Sequence, residues 1–418
     1  MATLVSSGRT ALRARPIGRA AWLLRLNLLA AAAFGAVLGF SRLAYGLLLP
    51  SIRADLARTS FAALGLVGSA NLAGYLLGTL AVPLLLRRVH DRRRVNLIAL
   101  VGMNLALAGA ATSADVVQLA IWRFLNGLAS GPAAILIIAL TLEQFPVERR
   151  GVASGLIWTG GAAGLVVSGP IGPLLQATDL PAWRLAWPAM AVLGLVAALA
   201  FHRALGEGTP SHGAAPARPV TAASGAPAEL SLWRPPLVWL AVSYFGFGVG
   251  YIIYFTFAAA LLGQQGAPAV VTSFAWALLG LAGLFGGIGW GRLADGAARL
   301  AALPVCLVAA AAGALTVGTG TLGLELAGVV LVGASSFGVP SLATALLRRA
   351  IADDRRYTSR LSLLTATVGV GQVLGPLLAG QVSDSGGLVA GTALAGVVLL
   401  LAALPAAAYG RSAARRST

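Results

Sequence analysis

Apolar runs of about 20 residues alternate with short polar breaks along almost the whole chain. At about 1.5 Å of rise per residue, such a run crosses a hydrocarbon layer of about 30 Å, so each predicts one membrane-spanning helix. Twelve are predicted, over 26–49, 61–86, 95–113, 116–141, 151–175, 184–203, 237–262, 271–291, 300–319, 322–346, 358–382 and 386–409. Two of the breaks are slight: Thr112-Ser113-Ala114-Asp115 and the stretch from Gly318 to Gly323. Residues 204–236 form the longest polar stretch, rich in Ala, Pro, Gly and Ser, and read as a flexible linker. The expected organisation is a tail (1–25), six helices (26–203), a linker (204–236), six more helices (237–409) and a second tail (410–418). The fold class is an all-α membrane protein of two six-helix bundles.

Composition agrees: 58% of the 418 residues are hydrophobic and 10% are charged, whereas a soluble domain is about a quarter charged. Fifty-three glycines suit helices that pack closely in lipid. The formal charge is +17, and all 30 basic residues are arginine. They do not gather on one polar domain, as nucleic-acid binding requires, but fall in short runs between apolar segments. With the N-terminus placed in the cytoplasm, the loops and tails on that side hold 25 of them, while the opposite side has only Arg53, Arg58 and Arg184. That bias predicts both termini inside, in a multi-pass protein of the cell inner membrane. The basic start followed by Ala31-Ala32-Ala33 imitates a signal peptide, but the apolar run continues to Pro50 and reads as an uncleaved span.

The remaining two arginines, Arg42 and Arg123, lie inside predicted spans. A guanidinium in hydrocarbon costs at least about 2.5–3.5 kcal/mol, so it is seldom left facing lipid. Arg42 sits in Gly39-Phe40-Ser41-Arg42-Leu43-Ala44-Tyr45, about 22 Å along its span at 1.5 Å per residue. Facing a wet cavity, it presents a fork of donors suited to a carboxylate or phosphate; the alternatives are snorkelling or ties to backbone carbonyls. Arg123, Asn126, Gly127, Ser130 and Gly131 share one face of the fourth span, where helix-to-helix hydrogen bonding competes with a site. Tyr244, Phe247, Tyr251 and Tyr254 form an aromatic stripe on the seventh, which reads as packing or as a ligand-lining surface. Glu325, near the outer end of the tenth span, is either interfacial or a pairing or proton-carrying acid. Gln372 and Asn71 are lesser polar candidates.

Other chemistries are excluded by the residues. Without lysine there is no P-loop. Three peripheral histidines (His90, His202, His212) and a single cysteine, Cys306, build neither a catalytic triad nor a metal site, and no cofactor is expected. The chain reads as no enzyme.

The halves repeat. The fifth span carries Gly164 and Gly169-Pro170-Ile171-Gly172-Pro173; the eleventh carries Gly369, Gly371, Gly375-Pro376 and Gly380. Related halves around a midplane site are the architecture of secondary transporters. The whole chain resembles a major facilitator superfamily transporter. Gly291-Arg292-Leu293-Ala294-Asp295 with Arg299 is similar to that superfamily's cytoplasmic loop motif. Gly164 to Pro173 is similar to its fifth-helix Gly-Pro motif, and Arg123-Phe124-Leu125-Asn126-Gly127 to its fourth-helix Arg-x-x-x-Gly motif. The Arg42 stretch through Leu48-Leu49-Pro50, and Tyr244 to Phe257, resemble the YbfB/YjiJ-type subfamily. The loop after the second span, Leu84-Leu85-Leu86-Arg87-Arg88, departs from the motif in lacking its aspartate.

The resemblance implies that spans 1, 4, 7 and 10 line a central cavity, giving Arg42, Arg123, Asn126, Tyr251 and Tyr254 as substrate-binding candidates and Glu325 as a coupling or pairing acid. It implies a sliding seam built by Gly164, Gly169, Pro170, Gly172, Pro173, Gly375 and Pro376, and a cytoplasmic charge cluster of Arg292 with Asp295. The expected activity is alternating-access transport of a small solute, first of all a small organic anion, by a monomer in the lipid bilayer. The alternatives are a proton-coupled efflux pump for amphipathic compounds, using Glu325, and a non-transporting membrane sensor.

Overall fold

The computed structural model describes residues 18–56, 59–89, 91–171, 180–207, 232–295, 299–351 and 353–417. Apart from one short 3-10 turn at Val147–Arg149, the elements among the described residues are twelve helical segments. They are α1 (Arg19–Asp55), α2 (Phe61–Arg88), α3 (Arg92–Ala110), α4 (Val116–Leu142), α5 (Arg150–Ser168), α6 (Ala182–Glu207), α7 (Leu237–Gln264), α8 (Ala269–Asp295), α9 (Arg299–Thr316) and α10 (Leu322–Ala350). The last run, Asp354–Ser417, is broken at Gly387 (φ 85°) into α11 (354–386) and α12 (388–417). Nine helical runs among the described residues are long and apolar enough to cross a membrane, the last of them holding both α11 and α12.

Both slight breaks exist. Between α3 and α4, Asp115 accepts the Gln118 N–H at 2.8 Å, and Ser113 Oγ donates to the Ala110 carbonyl at 2.8 Å. An N-terminal Asp cap satisfies a helix amide that no carbonyl can reach. Between α9 and α10, Gly318 and Gly320 adopt φ of +107° and +72°, a region where a Cβ is strained. The helix ends depart from expectation in both directions: α3 stops at Ala110, α5 at Ser168 and α9 at Thr316, short of the expected ends, while others run longer. Pro50 does not end α1, which continues to Asp55, and α6 reaches Glu207, into the stretch read as linker. Polar side chains mark the edge of the apolar layer, not the end of the helix. The rest of that linker, 208–231, lies outside the described residues.

Each half packs alike. In the first, α1 lies on α5, α2 on α4, α3 on α4 and α6; in the second, α7 lies on α11, α8 on α10, α9 on α10 and α12. The halves meet along α2–α11, α5–α8 and α1–α7. The tightest of these approaches is at Gly46, where an added Cβ would lie 1.8 Å from the Phe255 carbonyl oxygen. At α2–α11, Ser69 Oγ donates to the Val373 carbonyl (2.6 Å), and the Asp384 carboxylate takes the Phe61 and Ala62 amides at 2.7 and 2.9 Å. These contacts all lie from mid-helix towards the end that carries Arg53 and Arg184, the arginine-poor end.

Candidate functional site

The site begins with a defect in α1. Residues Ala36–Leu43 are wound as a π-helix, closed by the Ala44 N–H on the Gly39 carbonyl. Such wide turns shift later side chains round the helix axis and gather at functional positions. The local sequence permits this because Gly35 and Gly39 let the α5 backbone come close: a Cβ on Gly39 would stand 2.6 Å from the Gly164 Cα.

Arg42, next to last in this segment, turns towards the other half. Its Nη2 donates to Gln372 Oε1 of α11 and to the Tyr251 hydroxyl of α7 at 3.4 Å. Gln372 Nε2 donates to the same hydroxyl at 2.7 Å. The guanidinium carbon stands 4.9 Å from the Tyr75 ring centre on α2, within range of a cation–π attraction. Arg42 is partly exposed, and its buried Nε donor has no partner. A cation midway along its helix, with an unused donor and no acid against it among the described residues, can accept an anion. Gln372 is nearly buried, and its amide oxygen is the acceptor set against the guanidinium.

Arg123 and Asn126 take a different part from the ligand contact expected of them. Both are fully buried, at 1% and 0% exposure. Arg123 Nη1 donates to the Ser41 carbonyl at 2.6 Å, and its guanidinium lies over the Tyr45 and Trp187 rings at 5.2 and 5.5 Å. Asn126 Oδ1 accepts from Ser41 Oγ (2.6 Å) and Asn71 Nδ2 (2.8 Å), while its own amide donates to the Met103 carbonyl (2.9 Å). Asn71 also donates to the Arg123 carbonyl at 2.9 Å. The network joins α1, α2, α3 and α4 inside one half. It holds Ser41, the residue before Arg42, by both its carbonyl and its hydroxyl.

The α7 stripe splits. Tyr244, Phe247 and Tyr251 stack as a ladder, with centroids 5.9 and 4.7 Å apart and planes within 10°. Tyr251 reaches Arg42. Tyr254 does not: it lines a small gap with Trp276 and Val329 within the second half, and its buried hydroxyl has no partner among the described residues.

Glu325 lies in the first turn of α10, where its Oε1 accepts the Gly318 and Gly320 amides at 3.2 Å each. That is a local cap on the α9–α10 turn. The Gly-Pro residues divide by face. Gly164 packs against Gly35 and Gly39 of α1, and Gly375 against Val249 and Ile252 of α7, both within their own halves. Gly169 meets Ser273 and Ala277 of α8, and the Pro376 carbonyl meets Gly65 of α2, both across the halves. Pro170 is exposed. Gly172 and Pro173 lie outside the described residues, as does the Asp295 side chain; Arg292 is exposed at the end of α8. Ser41, Tyr75 and Asp384 escaped sequence reasoning, since a serine, a tyrosine and an acid at a helix end carry no signal until the helices are docked.

Two repeated bundles around a mid-membrane cation define a multi-pass membrane carrier. The chain matches the family described as "Uncharacterised MFS-type transporter YbfB" over residues 10–406, and it belongs to that family of major facilitator transporters. Over 146 residues it is 31% identical to a protein named gallate transporter from Pseudomonas putida, covering 35% of this chain and 31% of that one. Over 100 residues it is 38% identical to solute carrier family 22 member 7 of Homo sapiens, covering 23% of this chain and 18% of that one. The matched parts are thus under a third of the length of either relative. Among solved structures, it is similar to a bacterial homologue of the human lysosomal transporter Spinster, inward-facing and unoccupied (TM-score 0.73, 16% identity, 95% of this chain and 98% of that one). It is also similar to a D-xylose–proton symporter (TM-score 0.72, 16% identity, 92% and 97%). At that identity the likeness concerns the fold.

Proposed function

We propose that the protein is a secondary active transporter that moves a small organic anion by alternating access. Arg42 carries the proposal: a partly exposed guanidinium midway along its span, in contact with the opposite half, with one donor unused and, among the described residues, no carboxylate against it. Two bundles, 26–203 and 237–409, rock about it, joined by the 204–236 linker. The arginine-rich loops and both termini face the cytoplasm of an inner-membrane monomer, so the arginine-poor end, towards which the contacts between the halves lie, is the outer one. The gallate carrier among its relatives handles a carboxylate by name, which agrees with this substrate class.

A panel of small carboxylates, gallate included, tests this by thermal stabilisation of the purified protein in detergent and by uptake into proteoliposomes. At least one member stabilises the wild type. Arg42→Ala weakens that binding about 10- to 100-fold, as expected for losing a charge-assisted hydrogen-bond pair worth about 1.5–3 kcal/mol. Carboxylate binding that is equal in the wild type and Arg42→Ala, or absent from both, overturns the proposal.

A further inference from the structure

We propose that Gln372 is a built-in stand-in for the substrate carboxylate, displaced from Arg42 when the anion binds, so that occupancy of the site loosens α11 from α1. This deepens the transport reading and rests on it. Gln372 belongs to α11 of the second half and Arg42 to α1 of the first, so the hydrogen bond between them is a tie across the halves. The amide is fixed at both ends. Its oxygen takes the Arg42 Nη2 donor, and its nitrogen donates to the Tyr251 hydroxyl at 2.7 Å. Tyr251 in turn sits 3.4 Å from the same Nη2. A neutral amide oxygen is the weaker acceptor for a guanidinium; a carboxylate is roughly twice as strong and bidentate. An arriving anion therefore wins Nη2, pairs with the free Nε as well, and leaves Gln372 with Tyr251 alone. Ser69 to Val373, one residue further along α11, remains as the neighbouring cross-half bond.

A ligand shifts a conformational equilibrium only through unequal interaction with the two states. Here the inequality is concrete: the empty site has the α1–α11 tie, and the filled site does not. Gln372 thus acts as a positioning residue that sets both affinity and the resting state.

Two variants test it, with labelling of a reporter, Ser51→Cys, by a membrane-impermeant maleimide in a Cys306→Ala background. Ser51 lines the gap between α1, α7 and α8 at the arginine-poor end. Gln372→Glu places a permanent carboxylate on Arg42. It should weaken binding of the panel carboxylate about tenfold or more, keep a melting temperature no lower than wild type, and label less at Ser51→Cys without ligand. Gln372→Leu removes the tie and the competitor. It should bind the carboxylate several-fold more tightly and label faster than wild type without ligand. Carboxylate binding to Gln372→Glu at wild-type strength, or ligand-free labelling of Gln372→Leu no faster than wild type, overturns the proposal. Should Gln372→Glu not fold, the two Gln372→Leu readings decide. The outcomes separate cleanly: Arg42→Ala binding normally sinks the anion reading itself, whereas Arg42→Ala failing while Gln372→Glu binds normally sinks only the role of Gln372.

Discussion

Two arginines stand inside the membrane layer, and their surroundings give them opposite duties. Arg123 is sealed among Ser41, Tyr45 and Trp187, with no acid beside it among the described residues. A buried charge without hydrogen-bonding partners is very costly, so a fixed carbonyl acceptor and two rings are what keep it there. Its removal frees the Ser41 carbonyl inside the π-turn. Arg123→Ala should destabilise the protein by about 1–3 kcal/mol, the scale for leaving a buried acceptor unpaired, read as a lower melting temperature with and without carboxylate. Ser41→Ala loses one buried hydroxyl contact to Asn126 and should cost about 1 kcal/mol. Arg42→Ala, by contrast, should lower ligand affinity while leaving the ligand-free melting temperature nearly unchanged. Glu325 also separates two duties. As a cap on the α9–α10 turn, Glu325→Gln should leave any dependence of uptake on a pH gradient intact. A loss of that dependence would instead mark Glu325 as the proton carrier of an efflux pump.

At the scale of elements, hydropathy alone located all twelve helices, because crossing a bilayer demands a long apolar run whatever the tertiary contacts. Even Thr112 to Asp115 was enough to separate α3 from α4. Helix faces were far less legible. The spacing that put Arg123 and Asn126 on one stripe was right, but nothing in the sequence says which neighbour that stripe meets; it meets α1, α2 and α3 of its own half. Helical spacing puts Tyr254 only about 20° beyond Phe247, so it does not part the two; the surroundings further along α7 do, where Tyr254 lies beside Trp276 and Val329. Asp384 shows what only docking reveals. It ends α11 and caps α2 in the opposite half, placing a carboxylate on two free amides at a helix N-terminus. A helix cap is worth about 1 kcal/mol, or a factor of about 5 in a two-state equilibrium. Asp384→Ala should therefore raise ligand-free labelling at Ser51→Cys about 5-fold. Unchanged labelling would mean that this carboxylate does not help hold the arginine-poor end shut.

For the whole molecule, the division of close contacts into those within a half and those between halves decides what a mutation does. Helices α5 and α11 each show one face to their own bundle and another to the opposite one. Gly164 belongs to the first kind: its Cβ would lie 2.5 Å from the Gly35 carbonyl oxygen, within one bundle. Gly46 belongs to the second, with its Cβ 1.8 Å from the Phe255 carbonyl oxygen across the seam. Overpacking costs about 1–3 kcal/mol in either place, but the outlets differ. A bundle has no alternative packing, so Gly164→Ala should lose that amount as stability and melt at a lower temperature. A seam that opens and closes has another state to occupy. Gly46→Ala should move the population towards the outward-open form by roughly 5- to 30-fold per one to two kcal/mol, with little change in melting temperature. The expected signature is faster maleimide labelling of Ser51→Cys in Gly46→Ala and slow uptake into proteoliposomes, because the outer end no longer closes. Should Gly46→Ala instead melt early and label at the wild-type rate, α1 and α7 form a static core and not a moving seam.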